Sequence, residues 1–107
     1  MPKFMVKACY NAEGLKGLRR DKASGREKAI TAACAALGGK LEAIYFALGD
    51  DDVLVIVDVP SHVHAAKMAI MVGASGMFSR VTTVPLLTVA EADEALADGS
   101  AYRPPGG

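Results

Sequence analysis

The chain has little cysteine, no tryptophan and no excess of either charge. Its 107 residues carry two cysteines, and 12 Lys and Arg balance 12 Asp and Glu. A zero net charge excludes a nucleic-acid binder driven by electrostatics, which needs a basic stripe. Cys9 and Cys34 form no C-x-x-C pair, which removes zinc knuckles and thioredoxin-like motifs. Both are expected as buried free thiols. No apolar run approaches the roughly 18 residues that span a bilayer. The opening MPKFMVKACY lacks the long apolar region and cleavage site of a signal peptide. A cytoplasmic protein with no membrane or nucleic-acid partner is therefore expected. P-loop, G-x-G-x-x-G and G-x-S-x-G patterns are missing too.

What is present reads as one domain, with hydrophobic residues at 51% and charged residues at 22%, enough for a single core. Residues 1–98 are expected to form it, and the Pro/Gly-rich 99–107 a tail. Phe4, Val6, Ala8 and Tyr10 alternate with Met5, Lys7 and Cys9, the period of a strand. Asn11 to Gly25 mixes glycine and charge and reads as a long loop with one helical turn at Leu15–Arg19. Ser24 and Glu27 have capping-box spacing, so a helix is expected from Ser24, closed by Gly38-Gly39.

A second strand is expected over Leu41–Leu48 and a third over Val53–Val59, joined by the turn Gly49–Asp52. Ser61 opens a helix over about residues 62–73, with Ala65, Met68, Ala69 and Val72 inward. Arg80–Leu87 reads as a fourth strand, placed at a sheet edge by Pro85. Thr88 and Glu91 form another capping box before a last short helix.

The order β-α-β-β-α-β with an added C-terminal helix predicts an α+β, ferredoxin-like sandwich with a four-stranded antiparallel sheet. Right-handed crossovers put strands one and three at its centre. Two helices cover one face only. Yet Val53, Val55, Val57 and Val59 oppose Leu54, Ile56 and Asp58, and Ile44, Phe46 and Leu48 oppose Leu41, Ala43 and Tyr45. Both faces are apolar, whereas an exposed face normally reads polar. A homo-oligomer joined through the open sheet face is the expectation, with Asp58 at its rim or paired across it to a Lys or Arg.

Gly14-Leu15-Lys16-Gly17-Leu18, Leu37-Gly38-Gly39-Lys40-Leu41-Glu42, Tyr45-Phe46, Gly49 with Asp52, Val55-Ile56-Val57 and Tyr102-Arg103-Pro104-Pro105-Gly106 together resemble the GYD-domain family. The resemblance extends over essentially the whole chain. It implies the dimeric α/β-barrel, ferredoxin-like group, and it brings no established activity. The family signature is a Gly, Tyr, Asp set in the second hairpin turn. Gly49 and Asp52 match it, and Asp51 stands where the family has tyrosine.

Candidate ligand-binding residues are Arg26, Tyr45 and Asp52, with Tyr45 lining a pocket between sheet and helix. Arg19, Arg20, Lys22 and Arg26 make a basic cluster near a helix N-terminus, suited to an anionic small molecule. His62 and His64 are the only histidines, and on a helix their rings diverge, which disfavours chelation. Asp50, Asp51 and Asp52 lack calcium-loop spacing and read as turn formers. No metal or cofactor is expected. Two functional readings follow. One is a homo-oligomeric module binding a small anionic ligand. The other is a small cofactor-free enzyme, of isomerase or monooxygenase-like type, moving a proton through Asp52, Tyr45 or a histidine.

Overall fold

Alternation in the first strand decides which face of the sheet becomes the core. In the computed structural model, which describes residues 1–97, 99 and 101–107, β1 spans Lys3–Tyr10 and buries every second residue. Those residues are Phe4, Val6, Ala8 and Tyr10. The chain continues through α1 (Ala12–Ala36), β2 (Lys40–Phe46), β3 (Val53–Asp58), α2 (His62–Ala74), β4 (Phe78–Leu86) and α3 (Val89–Ala97). All strand pairs are antiparallel, in the order β2-β3-β1-β4. This is the ferredoxin-like α+β arrangement, with β1 and β3 central. The expected domain boundary at residue 98 lies outside the described residues.

Val53, Val55, Val57 and Val59 join the β1 residues, Cys34, Ala65 and Met68 in one core. Of the other inward positions expected on α2, Val72 packs against the core and Ala69 is half-buried. Pro85 sits on β4, an edge strand, where its missing N–H disturbs no second ladder.

Residues 12–25 are helical apart from a break at Lys22, not a loop. Asn11 caps α1 by accepting the Gly14 N–H at 2.9 Å, while its own Nδ2 donates to the Gly76 carbonyl at 2.6 Å. The glycines that suggested a loop have another use. A Cβ on Gly14 would collide with the Met77 carbonyl, so glycine here lets the helix start lie against the β4 approach. Gly14 is buried, and Leu18 packs against the core one turn later.

Ser24 lies two residues past the point where a second helical piece begins, so the helix start expected at Ser24 falls at Lys22 instead. The break falls at Lys22, whose φ of 64° and ψ of 169° interrupt the helical geometry. That conformation strains a non-glycine residue by about 1–3 kcal/mol. Arg19, Arg20, Lys22 and Arg26 therefore flank this break, where the second helical piece of α1 begins. At the other end Gly38 has φ +78°, and the Gly39 N–H returns to the Cys34 carbonyl at 2.9 Å, the expected glycine stop.

A β-bulge decides the parity of β2. Leu41 pairs with Val57, but the register shifts before Ala43, which pairs with Ile56. Glu42 is the extra residue, so Leu41 shares the core face with Ile44 and Phe46, while Ala43 and Tyr45 turn to the opposite face. Strict alternation had grouped Leu41 with Ala43 and Tyr45.

The uncovered face carries Met5, Lys7 and Cys9 of β1, Leu54 and Ile56 of β3, Ala43 and Tyr45 of β2, and Thr82, Val84 and Leu86 of β4. One end is closed by Lys3, whose Nζ lies 2.9 Å from both Asp58 Oδ1 and Glu42 Oε2. Asp58 is 4% exposed. Its partner is the neighbouring strand of the same chain, not a group across an interface, because Lys3 and Asp58 are register partners.

Candidate functional site

Arg26, Tyr45 and Asp52 do not converge. Tyr45 is 69% exposed on the open face, put there by the Glu42 bulge, and lines no pocket between sheet and helices. Arg26 and Asp52 instead flank Tyr10, on the helix-covered side. The backbone N–H of Tyr10 donates to Asp52 Oδ2 at 2.9 Å. Asp52 is fixed in turn by its own N–H to the Ala8 carbonyl and by the Ala47 N–H to its carbonyl. It therefore clamps the β2–β3 turn onto the end of β1.

Tyr10 is the residue that sequence reasoning passed over. Its place as the last inward residue of β1 was the available signal. Its ring stacks on Phe78 with centroids 4.8 Å apart, and it lines a cavity of about 50 Å³. Val6 and Ala8 of β1, Val53 and Val55 of β3, Ile30 of α1, and Met68 and Val72 of α2 complete the wall. The lining is apolar apart from the phenol.

Arg26 stands one helical turn before Ile30, on the same side of α1. Burial pushes the Tyr10 phenol above its ordinary range, and the neighbouring Arg26 guanidinium partly offsets this. The phenol is thus protonated at neutral pH and can donate a hydrogen bond. The Arg26 side chain reaches Asp21 only at 3.9 Å, and its buried Nε has no hydrogen-bond partner. An unpaired buried donor of a charged group is costly, which makes this nitrogen a place for an acceptor.

The remaining candidates have other contacts. His62 meets Phe4 edge to face at 5.4 Å, while His64 Nδ1 lies 2.7 Å from Ser61 Oγ. The two rings serve separate contacts. Ser61 also caps α2 by accepting the His64 N–H. Among the described residues, no group of three His, Cys, Asp or Glu is arranged to hold a metal ion.

Asp51 Oδ1 accepts from Arg80 Nη2 at 3.1 Å. The same nitrogen lies 2.7 Å from the Asp50 carbonyl and 3.0 Å from Cys9 Sγ. Asp51 thereby pins the turn to β4. Cys9 is half-buried rather than buried, since it points to the open face. Cys34 is fully buried.

Two groups raised by burial make alkaline pH destabilising. Burial raises the Cys34 thiol above 9.0 and the Tyr10 phenol above 10.0. For either, the folded state holds its proton more tightly than the unfolded state. Their stabilisation is complete below the unfolded values and is lost as pH rises through the folded ones. Unfolding midpoints in urea are expected to hold steady from about pH 7 to about pH 8.5 and fall by about pH 10.5. Cys34→Ala should flatten the first part of that fall.

The fold and cavity define a small ferredoxin-like sandwich with an apolar pocket between sheet and helices, lined by one tyrosine that has an arginine beside it. The chain matches the GYD domain over residues 4–96 and belongs to that family. No curated protein matches it significantly. Among the described residues, no helix is long and apolar enough to cross a membrane.

Proposed function

We propose that this GYD-domain protein is a homo-oligomer whose subunits meet through the open sheet face, and that each subunit binds a small carboxylate. The observation that supports binding is the buried, unpartnered Nε of Arg26, a neighbour of Tyr10, which lines the cavity. A carboxylate accepts from a guanidinium and a phenol together. An apolar cavity of about 150 Å³ admits benzene. The 50 Å³ here takes about two carbons on that scale, so the apolar end of the ligand is short.

The assembly reading is supported by Met5, Leu54, Ile56 and Val84, which lie half-buried in one uncovered patch. We assign no catalytic step. The Asp52 carboxylate accepts the Tyr10 backbone N–H, Tyr45 lies on the open face, and the histidines are engaged elsewhere.

Amide chemical-shift titration with propionate tests the binding. Shifts at Tyr10 and Ile30 with a millimolar midpoint are expected, in keeping with so few ligand atoms. Propionamide should bind at least about tenfold more weakly, and Arg26→Gln should remove the preference. Equal shifts with both compounds, or none with either, contradict it.

A further inference from the structure

A nine-residue helix with nothing packed on it is an anomaly in water. α3 spans nine residues and buries none of them. Isolated helices shorter than about 12–15 residues are marginal. Its capping is sound: the Thr88 N–H donates to Glu91 Oε1 at 2.9 Å, and the Glu91 N–H to Thr88 Oγ1 at 3.1 Å. These bonds also hold the Glu91 carboxyl below its usual range. A cap adds about 1 kcal/mol, too little to hold a short helix alone.

The apolar residues of α3 form a stripe. Val89, Ala92 and Leu96 recur at helical spacing, and Val89 and Leu96 are 81% and 80% exposed. Leu87, just before the helix, is also exposed. The chain, with its 25-residue α1, α3 and the C-terminal tail, is long, with a radius of gyration of 16.8 Å and extents of 56 × 32 × 22 Å. A compact domain of this size has a radius near 13 Å.

Charge indicates what covers the stripe. α3 carries Glu91, Asp93 and Glu94 and no cation. The open sheet face carries Lys7 in mid-strand and Lys40 at its end, register partners of Leu54 and Asp58. Neither lysine has an ion pair among the described residues. A lysine such as Lys7, covered by another surface, needs a carboxylate beside it. The same chain thus holds an acidic helix with an uncovered apolar stripe and an uncovered apolar face with free lysines.

We propose that α3 docks on a second copy of this chain, its Val89–Ala92–Leu96 stripe against the margin of that copy's open sheet face and its carboxylates toward Lys7 and Lys40. The exchange is reciprocal in a two-fold dimer, since each chain offers both surfaces. α3 leaves the sheet directly after edge strand β4, so a helix reaching past the edge meets whatever lies on the open face. This inference rests on the assembly reading above, because a monomer offers no second face.

The native chain has no tryptophan, so Leu96→Trp supplies a single indole reporter. Its emission is expected to shift to the blue as concentration rises through the dimerisation range measured on the same samples by sedimentation. Asp93→Lys with Glu94→Lys should weaken association at least about tenfold, and Lys7→Glu with Lys40→Glu on the same chain should recover most of it. Solvent-like emission from a sedimenting dimer overturns the docking of α3 and leaves the sheet-face dimer standing. A monomer at every concentration overturns both. Blue emission independent of concentration places α3 on its own chain and overturns the exchange.

Discussion

Ile56→Asp is expected to convert the assembly into monomers, raising the dissociation constant by more than about a hundredfold. Ile56 lies on central strand β3, paired with Met5 on one side and Ala43 on the other, in the middle of the uncovered apolar patch. Burying an isoleucine contributes about 1.5–3 kcal/mol, and an interface that buries an unpaired carboxylate instead loses that and more. About 2.8 kcal/mol is already a hundredfold. The core face is not touched, since Val55 and Val57 point the other way. Far-ultraviolet circular dichroism should stay ferredoxin-like while sedimentation velocity reports a smaller particle. An unchanged particle in the variant contradicts the sheet-face interface.

Lys3→Met is expected to lower the melting temperature by on the order of 5 °C or more. Among the described residues, the lysine is the only group paired with the nearly buried Asp58 carboxylate. Removing one member of such a pair leaves a charge without a partner, the costly way to break it. Replacing both members by apolar residues is far milder. Lys3→Met with Asp58→Leu should therefore recover most of the loss. Thermal denaturation of wild type, single and double variants makes the check. A double variant as damaged as the single one would show that the pair itself, not the orphaned carboxylate, sets the stability.

These two sites also show what the sequence makes legible. The parity of β1 and β3 was open to reading, because every second residue from Phe4 to Tyr10 and from Val53 to Val59 is apolar and the turns are short. That parity gives the core and the uncovered face together, while the succession of elements gives the strand order. The capping box at Thr88 and Glu91 was legible for a similar reason, since a cap is a local pattern.

Three features were not legible, each because a tertiary contact overrides a local signal. Gly14 looks like a loop residue, but it permits α1 to approach Met77. Glu42 gives no sign that it bulges, yet the bulge moves Tyr45 from the cavity side to the open face. The partnership of Arg26 with Tyr10 crosses from helix to sheet and depends on where the break at Lys22 aims the second half of α1. Arg26 and Asp52 were singled out from their residue types and from family resemblance, and both lie beside Tyr10. Tyr10, which lies between them, read only as core. The Lys3–Asp58 pair was half legible: a buried Asp58 needs a cation, but the register that supplies Lys3 is fixed only by the folded sheet.

The covered sheet face is the claim on which most else depends, and sedimentation equilibrium of the wild-type chain tests it most directly. At micromolar concentration the fitted mass should be an integer multiple of 11.1 kDa, two-fold or greater. A mass of one chain across that range would contradict the account.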